Sequence, residues 1–120
     1  MKRGKPPTAE QKRWHDWLAE QGDYMALDAV VELHHPVGST GKHNKVEIGQ
    51  WWVIPLGYTS HRSPTGLHGD CSVFHGYRLG ETRKEIEKAI FSRLVAHYHH
   101  QHKCLPCPAD VIKAIQDYHR

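Results

Sequence analysis

Four histidines in the middle of the chain have the residue type and the order expected of a hydrolytic metal site. His34 and His35 are adjacent, and His61 and His68 follow after a loop and a short apolar segment. Imidazole binds transition metals and can accept a proton near neutral pH. Hydrolysis of a phosphodiester needs both functions, because a base activates water while a cation neutralises charge on the phosphate and the departing oxygen. The pattern therefore favours a metal or acid/base site.

The composition agrees with one folded domain over residues 1–120. Hydrophobic residues make up 38% and charged residues 24%, which argues against disorder. Histidine accounts for 12 of the 120 residues, more than packing alone explains. The net charge of +3 permits a polyanionic partner without requiring one. No run reaches the roughly 18 apolar residues of a membrane span, and no signal peptide is visible, so we expect no membrane association and a reducing cytoplasm.

Two strands and a polar turn are predicted to carry the four histidines. The alternation between Met25 and His35 predicts a strand that stops at Pro36, and residues 51–56 predict a second, antiparallel strand. Between them, residues 36–49 predict a mobile loop, and residues 57–70 predict one or two helical turns at most. Since consecutive strand side chains point to opposite faces, one histidine of the pair can face a metal and the other a water.

Three helices are predicted around this core, which spans about residues 25–75. They cover residues 9–21, 83–100 and 109–118. Thr8 and Thr82 are predicted N-caps of capping boxes, and the tryptophans of the first helix are spaced as a core stripe. The fold class expected is α+β, a β-hairpin with a short helix between N-terminal and C-terminal flanking helices.

The segments LHHPVG (residues 33–38) and WWVIPLGYTSHRSPTGLHG (residues 51–69) resemble the pattern of HNH nucleases, which have a small ββα-metal (His-Me finger) core. The chain is similar in particular to phage recombination-enhancing, RecA-dependent nucleases, over roughly residues 12 to 95. The resemblance implies a DNA endonuclease of phage or prophage origin in the cytoplasm of a bacterial host. It also implies one divalent cation (Mg, Mn, Ni or Zn) and a RecA-type recombinase filament as a partner.

The resemblance also assigns roles to the four histidines. His34 would bind the metal, His61 and His68 would be further ligands, and His35 would be the general base. Arg62 has a planar fork of donors beside His61 and could hold a phosphate. The full set of candidate DNA phosphate contacts is Arg62, Lys42, Lys45 and Arg78.

Two features of the family are missing from this sequence. Relatives often hold the motif with a zinc bound by two CxxC pairs, but Gly57 and Ser60 occupy the second position and residues 22–25 the first. We therefore expect the hairpin to be held by packing, with Trp51 or Trp52 against the first helix. The family's central Asn is replaced by Trp52 or Val53, and Asn44 or Gln50 is the alternative.

The cysteines and one acidic residue leave further alternatives open. Cys104 and Cys107 form a CxxC after a histidine-rich helix end, which is either a second, structural zinc site or an exposed end. Cys71 is expected to be a small buried side chain. Asp70 is either a partner of one of the site imidazoles or solvated.

Two other function classes compete with a nuclease. A non-catalytic DNA- or protein-binding module could keep the ββα shape and lose turnover, which would suit the missing cysteines and Asn. A metal-binding protein unrelated to nucleic acid could use the histidines for storage or structure. Plasmid nicking that depends on His35 separates the nuclease from both.

Overall fold

A strand pair made from two distant segments lies at the centre of the protein, in a computed structural model that describes residues 6–119. Strand β1 (Glu32–His34) runs antiparallel to β4 (Ile54–Leu56), with Leu33 opposite Pro55. The predicted pairing is confirmed. The first strand is shorter than predicted, because residues 23–30 form turns instead of extended chain.

The loop between these strands is more ordered than its composition predicts. It contains a small second hairpin, β2 (Lys42–His43) and β3 (Val46–Glu47), closed by Asn44 and Lys45 in the left-handed region. Asn and its neighbour tolerate that conformation in tight hairpin turns. The described part of the chain thus contains two small antiparallel sheets.

The helices agree closely with the predicted ranges. They are α1 (Ala9–Gln21), the single turn α2 (Tyr58–His61), α3 (Arg83–His102) and α4 (Ala109–Asp117), with a 3₁₀ turn at Ser72–Phe74. Both predicted capping boxes are present, at Thr8 and at Thr82. The α+β class is therefore confirmed. No helix among the described residues has both the length and the apolar composition needed to cross a membrane.

Tryptophans join α1 to the strand pair. The indole Nε1 of Trp14 donates a hydrogen bond to the Trp51 carbonyl (2.9 Å), and Trp52 is fully buried. Trp14 also packs edge-on against Phe91 of α3. Burial of such large rings supplies much of the apolar stabilisation of a small core. The expectation that α1 and these tryptophans pack on the hairpin is confirmed.

A buried carboxylate connects residues 23–28 to the single helical turn after β4. Asp23 accepts hydrogen bonds from the backbone amides of Met25, Leu27 and Asp28 and from the Ser60 hydroxyl (3.2 Å). Asp23 and Ser60 are both buried. A carboxylate that accepts several donors can satisfy a turn internally. Hydrogen bonds therefore connect these segments here.

Candidate metal centre

Three imidazole nitrogens meet between the strand pair and the segment after it. Nε2 of His61 lies 3.1 Å from Nδ1 of His34 and 2.9 Å from Nε2 of His68. This is the one group of three or more potential metal ligands found among residues 6–119, with all ligand atoms within 4.8 Å. The structure thus brings together all three residues predicted as ligands.

The segment after β4 positions two of the three histidines. Helix α2 begins directly after β4 and ends at His61. The chain then folds back, so that the amides of Leu67 and His68 donate to the carbonyls of Ser60 (2.8 Å) and His61 (3.0 Å). A Cβ at Gly66 would lie 2.6 Å from the Thr59 carbonyl oxygen, so this fold-back requires glycine. The glycines around His68 indeed mark a close backbone approach.

Two carboxylates decide which nitrogens of His34 and His61 carry protons. Glu87 of α3 is fully buried and lies 2.5 Å from Nε2 of His34, and Glu32 lies 3.0 Å from Nδ1 of His61. A carboxylate only accepts, so each of these nitrogens donates its N–H. The opposite nitrogens, Nδ1 of His34 and Nε2 of His61, are then left with lone pairs. Carboxylates commonly orient metal-binding histidines in this way.

These two lone pairs face each other at 3.1 Å, and that contact needs a positive charge. Two neutral imidazoles with both facing nitrogens unprotonated cannot form a hydrogen bond. A proton could fill the gap, but burial lowers the pKa of His34 and of His61, although Glu87 and Glu32 oppose the shift. Burial also lowers the pKa of His68, with the nearby Arg83 as the second cause. A metal cation therefore suits the cluster better than an extra proton.

The spacing of the nitrogens and their exposure fit a reactive metal site. Ligands about 2.0–2.1 Å from a cation stand about 2.9 Å apart at right angles and about 3.3 Å apart at the tetrahedral angle. Two of the three nitrogen separations, 2.9 and 3.1 Å, fall in this range, and all three lie within 4.8 Å. His34 and His61 are buried, whereas His68 is exposed. Three protein ligands with one side open to solvent are typical of catalytic sites, while structural zinc sites are closed by four.

His35 lies outside this cluster, as the strand geometry predicts. Its Nε2 is 3.0 Å from the amide oxygen of Gln50, and its ring meets that of His15 edge-on at 5.8 Å. Because an amide oxygen only accepts, Nε2 is protonated and Nδ1 has the free lone pair. His15 in turn donates from Nε2 to the Gln50 carbonyl (2.6 Å). Of the two residues considered in place of the central Asn, Gln50 contacts His35 and Asn44 lies in the β2–β3 turn.

The predicted phosphate contacts lie in three different places. Arg62 is beside His61, but its Nε donates to Glu32 (3.0 Å) while the side chain stays 58% exposed. Lys42 and Lys45 belong to the β2–β3 hairpin, which packs against α4. Arg78 is an exposed residue in the loop before α3. Among these four, Arg62 is the one in contact with a residue that binds the histidine cluster.

Glu87 and Arg83 were not among the predicted site residues. Glu87 interrupts the apolar stripe of α3, next to the fully buried Ile86. An acidic residue in such a stripe was the available signal, because carboxylates are rarely buried without partners. Besides His34, Glu87 has Lys84 at 3.0 Å and Arg83 Nε at 3.5 Å, and the hydrogen bonds from His34 and Lys84 overcome desolvation to lower its pKa.

The cysteines and Asp70 lie apart from this cluster. Cys104 is exposed and Cys107 is buried, and burial raises the pKa of the Cys107 thiol to about 12. Zinc binds thiolates, and no third potential ligand joins this pair among the described residues, so the structure gives no support to a second zinc site. Cys71 is buried as expected. Asp70 accepts from the Ser72 amide (2.9 Å) and is exposed, so of the two alternatives the structure favours a solvated residue over an imidazole partner.

Three imidazole nitrogens are the possible metal ligands of this centre. Two carboxylates turn the lone pairs of His34 and His61 toward a common point, and His68 closes the triangle on the solvent side. His35 lies on the other side of the strand, where the Gln50 amide oxygen accepts its hydrogen bond. Compared with models of known protein families, with curated proteins and with solved structures, the chain has no significant match.

Proposed function

We propose that the protein is a metal-dependent endonuclease of the HNH type that hydrolyses DNA phosphodiester bonds. The observation that carries the proposal is the triangle of imidazole nitrogens whose lone pairs are directed inward by Glu87 and Glu32. It is open to solvent at His68 and has a separate histidine one residue away along the strand. Metal ligands and an unliganded base side by side are the two parts that phosphodiester hydrolysis needs.

In this proposal each histidine has a distinct task. His34, His61 and His68 hold the cation, which when bound supplies positive charge for the phosphate and the departing 3′ oxygen. His35 accepts a proton from the attacking water at Nδ1. Gln50 keeps the proton of His35 on Nε2 through its amide oxygen, so that Nδ1 is available.

Two arginines carry positive charge close to the cluster. Arg62 is largely exposed next to His61, and Arg83, at the start of α3, acts electrostatically on His34 and His68. The Nε of Arg83 is buried and lies 3.5 Å from the Glu87 carboxylate, whereas 40% of the Arg83 side chain is exposed. Guanidinium groups bind phosphate oxygens without reading sequence. We assign them to the DNA backbone; the phage recombination setting, with a RecA-type filament as partner, follows from the family resemblance.

The test is nicking of supercoiled plasmid by the purified full chain with Mg²⁺, Mn²⁺, Ni²⁺ or Zn²⁺. We expect cutting with at least one of these cations and none in EDTA. His35→Ala should lower the rate by about 10²–10⁴-fold, the usual contribution of a general base. His100→Ala, at an exposed position of α3, is the matched control and should cut as wild type.

Three outcomes would contradict the proposal. Cutting by His35→Ala at the wild-type rate removes the assigned base. DNA binding without cutting under any cation indicates the non-catalytic binding module instead. Metal binding with neither DNA binding nor cutting indicates a storage or structural role for the histidines.

A further inference from the structure

An open cavity of about 400 Å³ adjoins the metal centre. Such a volume is within the range of about 300–1,000 Å³ that ligand pockets occupy. Its lining combines apolar, aromatic and charged side chains from the turn before β1, from β1 and from α2: Asp28, Ala29, Val30, Glu32, Tyr58 and Arg62. None of these residues belongs to the proposed ligand set.

Two lining residues connect the cavity to the histidine cluster. Glu32 accepts the Nδ1–H of His61 at 3.0 Å and also the Nε–H of Arg62. Tyr58 begins the single helical turn that ends at His61. A molecule in this cavity would therefore be separated by a single residue, Glu32, from the histidine cluster and from any group bound to its metal.

The cavity wall exposes apolar surface that the fold does not use. Val30 is 78% exposed and Tyr58 is 61% exposed, and they are two of the five large apolar side chains exposed in the described part of the chain. Single exposed apolar residues are ordinary, but an aromatic ring and a valine on one concave wall next to a reactive centre indicate a ligand.

The charges in the cavity favour a neutral ring over a free anion. Two carboxylates and one guanidinium line it, and the carboxylates already have donors. Asp28 accepts from the amide and the hydroxyl of Thr59, at 2.8 and 3.3 Å, and Glu32 accepts from His61 and Arg62. Two acidic groups would repel a phosphate inside the cavity, whereas an uncharged heterocycle could stack on Tyr58.

We propose that this cavity receives one nucleobase of the DNA strand whose phosphodiester lies at the metal centre. The base stacks on Tyr58 and packs against Val30, while Arg62, which lines the cavity and donates to Glu32, contacts the DNA backbone. A base can enter only after leaving its stack, so the preferred substrate is single-stranded or locally unpaired DNA. This inference rests on the proposed function and names its substrate class.

The experiment uses oligonucleotides that carry 2-aminopurine, whose fluorescence falls when it stacks. The His35→Ala protein is loaded with Zn²⁺ so that the strand stays intact, and anisotropy of a fluorescein label reports binding separately. We expect tighter binding of the single strand than of its duplex. Because the base exchanges its neighbouring bases for Tyr58, we also expect Tyr58-dependent quenching, which is 2-aminopurine fluorescence lower in the wild-type complex than in the Tyr58→Ala complex. Tyr58→Ala should abolish the quenching and weaken binding about 10-fold, while Tyr58→Phe retains both.

Tyr77→Ala is the matched control, because Tyr77 is 55% exposed and does not line the cavity. Quenching and affinity that survive in Tyr58→Ala would overturn the inference, as would equal binding of duplex and single strand. If the wild type cuts plasmid but Tyr58→Ala retains the quenching and the affinity of the wild type, the base site is wrong and the proposed nuclease activity is not affected. Quenching by Tyr58 without any cutting would keep the base site and remove the nuclease.

Discussion

Glu87 of α3 and His34 of β1 form a contact of 2.5 Å that is closed to solvent on both sides. The carboxylate is fully buried and the imidazole is 6% exposed. Burial of a carboxylate is costly unless it is paired and hydrogen-bonded, and Glu87 has His34 and Lys84 as donors. The helix thus fixes the orientation of a strand histidine from behind the candidate metal centre.

Replacing Glu87 should weaken metal binding without removing a ligand. In Glu87→Gln the amide oxygen can still accept from Nε2 of His34, but the negative charge that makes the imidazole a better ligand is lost. We expect Zn²⁺ affinity to fall about 10-fold, and further in Glu87→Ala, where the tautomer is no longer set. Competition with a chromophoric chelator measures this. Glu81→Gln, exposed in the segment before α3, is the control, and equal affinities in all variants would show that Glu87 has only a structural role.

The histidine cluster was predicted in two steps. The order of a strand ending at His34 and a glycine-containing turn with His61 and His68 favoured a metal or acid/base site, and the family resemblance assigned these three residues as ligands. The strand itself was predicted too long. The Asp23 side chain accepts hydrogen bonds from three turn amides, those of Met25, Leu27 and Asp28, which stabilises turns where alternation alone suggested extended chain.

Residues that act from a distant element could not be found in this way. Glu87 follows His34 by 53 positions and reaches it only through the packing of α3 on the strands. Gln50 could be named as a candidate, but its contact with His35 depends on how the loop closes. Such contacts are tertiary, and neither helical nor strand periodicity encodes them.

Binding of the proposed metal should stabilise the folded protein. A ligand that binds only the folded state, present at about 100 times its Kd, adds about 2.7 kcal/mol to the free energy of unfolding. For a domain of this size that corresponds to a rise in Tm of roughly 8–15 °C. Differential scanning fluorimetry with Zn²⁺ and Mn²⁺ tests it. The shift should vanish in His61→Ala and persist in His100→Ala; a shift that His61→Ala retains would place the metal elsewhere.

Removal of metal should leave the protein folded, because hydrogen bonds to Asp23 join residues 23–28 to Ser60 without a metal ion. We expect native circular dichroism in EDTA. Asp23→Ala removes the acceptor of the turn amides and of the Ser60 hydroxyl, and should lower the free energy of unfolding by about 2–3 kcal/mol. Urea denaturation in EDTA measures this, with exposed Asp16→Ala on α1 as a control. Unfolding by EDTA alone would contradict the packing account.

The stability of the metal-free protein should decrease on acidification, with His15 as one cause. Burial lowers the pKa of His15 below its ordinary value of 6.5, despite the hydrogen bond to the Gln50 carbonyl. At a pH below 6.5, His15 is protonated in the unfolded chain but stays neutral in the folded protein until the pH reaches its lower folded-state pKa. The contribution of His15 to the free energy of unfolding is therefore fully present above about pH 6.5. It decreases as the pH falls toward the folded-state pKa, by at most about 1.4 kcal/mol per pH unit for one group.

Urea denaturation in EDTA at about pH 7.5 and about pH 5.5 tests the sign. The buried cluster histidines change stability in the same direction, so His15 is isolated by a variant. His15→Asn keeps a donor for the Gln50 carbonyl but does not titrate, and its loss of stability over this interval should be smaller than that of wild type. An unchanged slope would show that His15 does not contribute.

Gln50 should affect cutting but not metal binding, because it contacts the proposed base and no proposed ligand in the contacts described. In Gln50→Leu the Nε2–H of His35 loses its acceptor, so the proton can move to Nδ1. Nδ1 is the atom that must accept the proton of the attacking water. We expect the cutting rate to fall about 10–100-fold, less than for His35→Ala, with the acidic limb of the pH–rate profile displaced.

Gln50→Glu keeps an acceptor and should retain most of the rate, which a merely structural role would not predict. Zn²⁺ affinity should stay at the wild-type value in both variants, and a parallel loss of metal binding and cutting would show that residue 50 supports the fold of the cluster instead of the base.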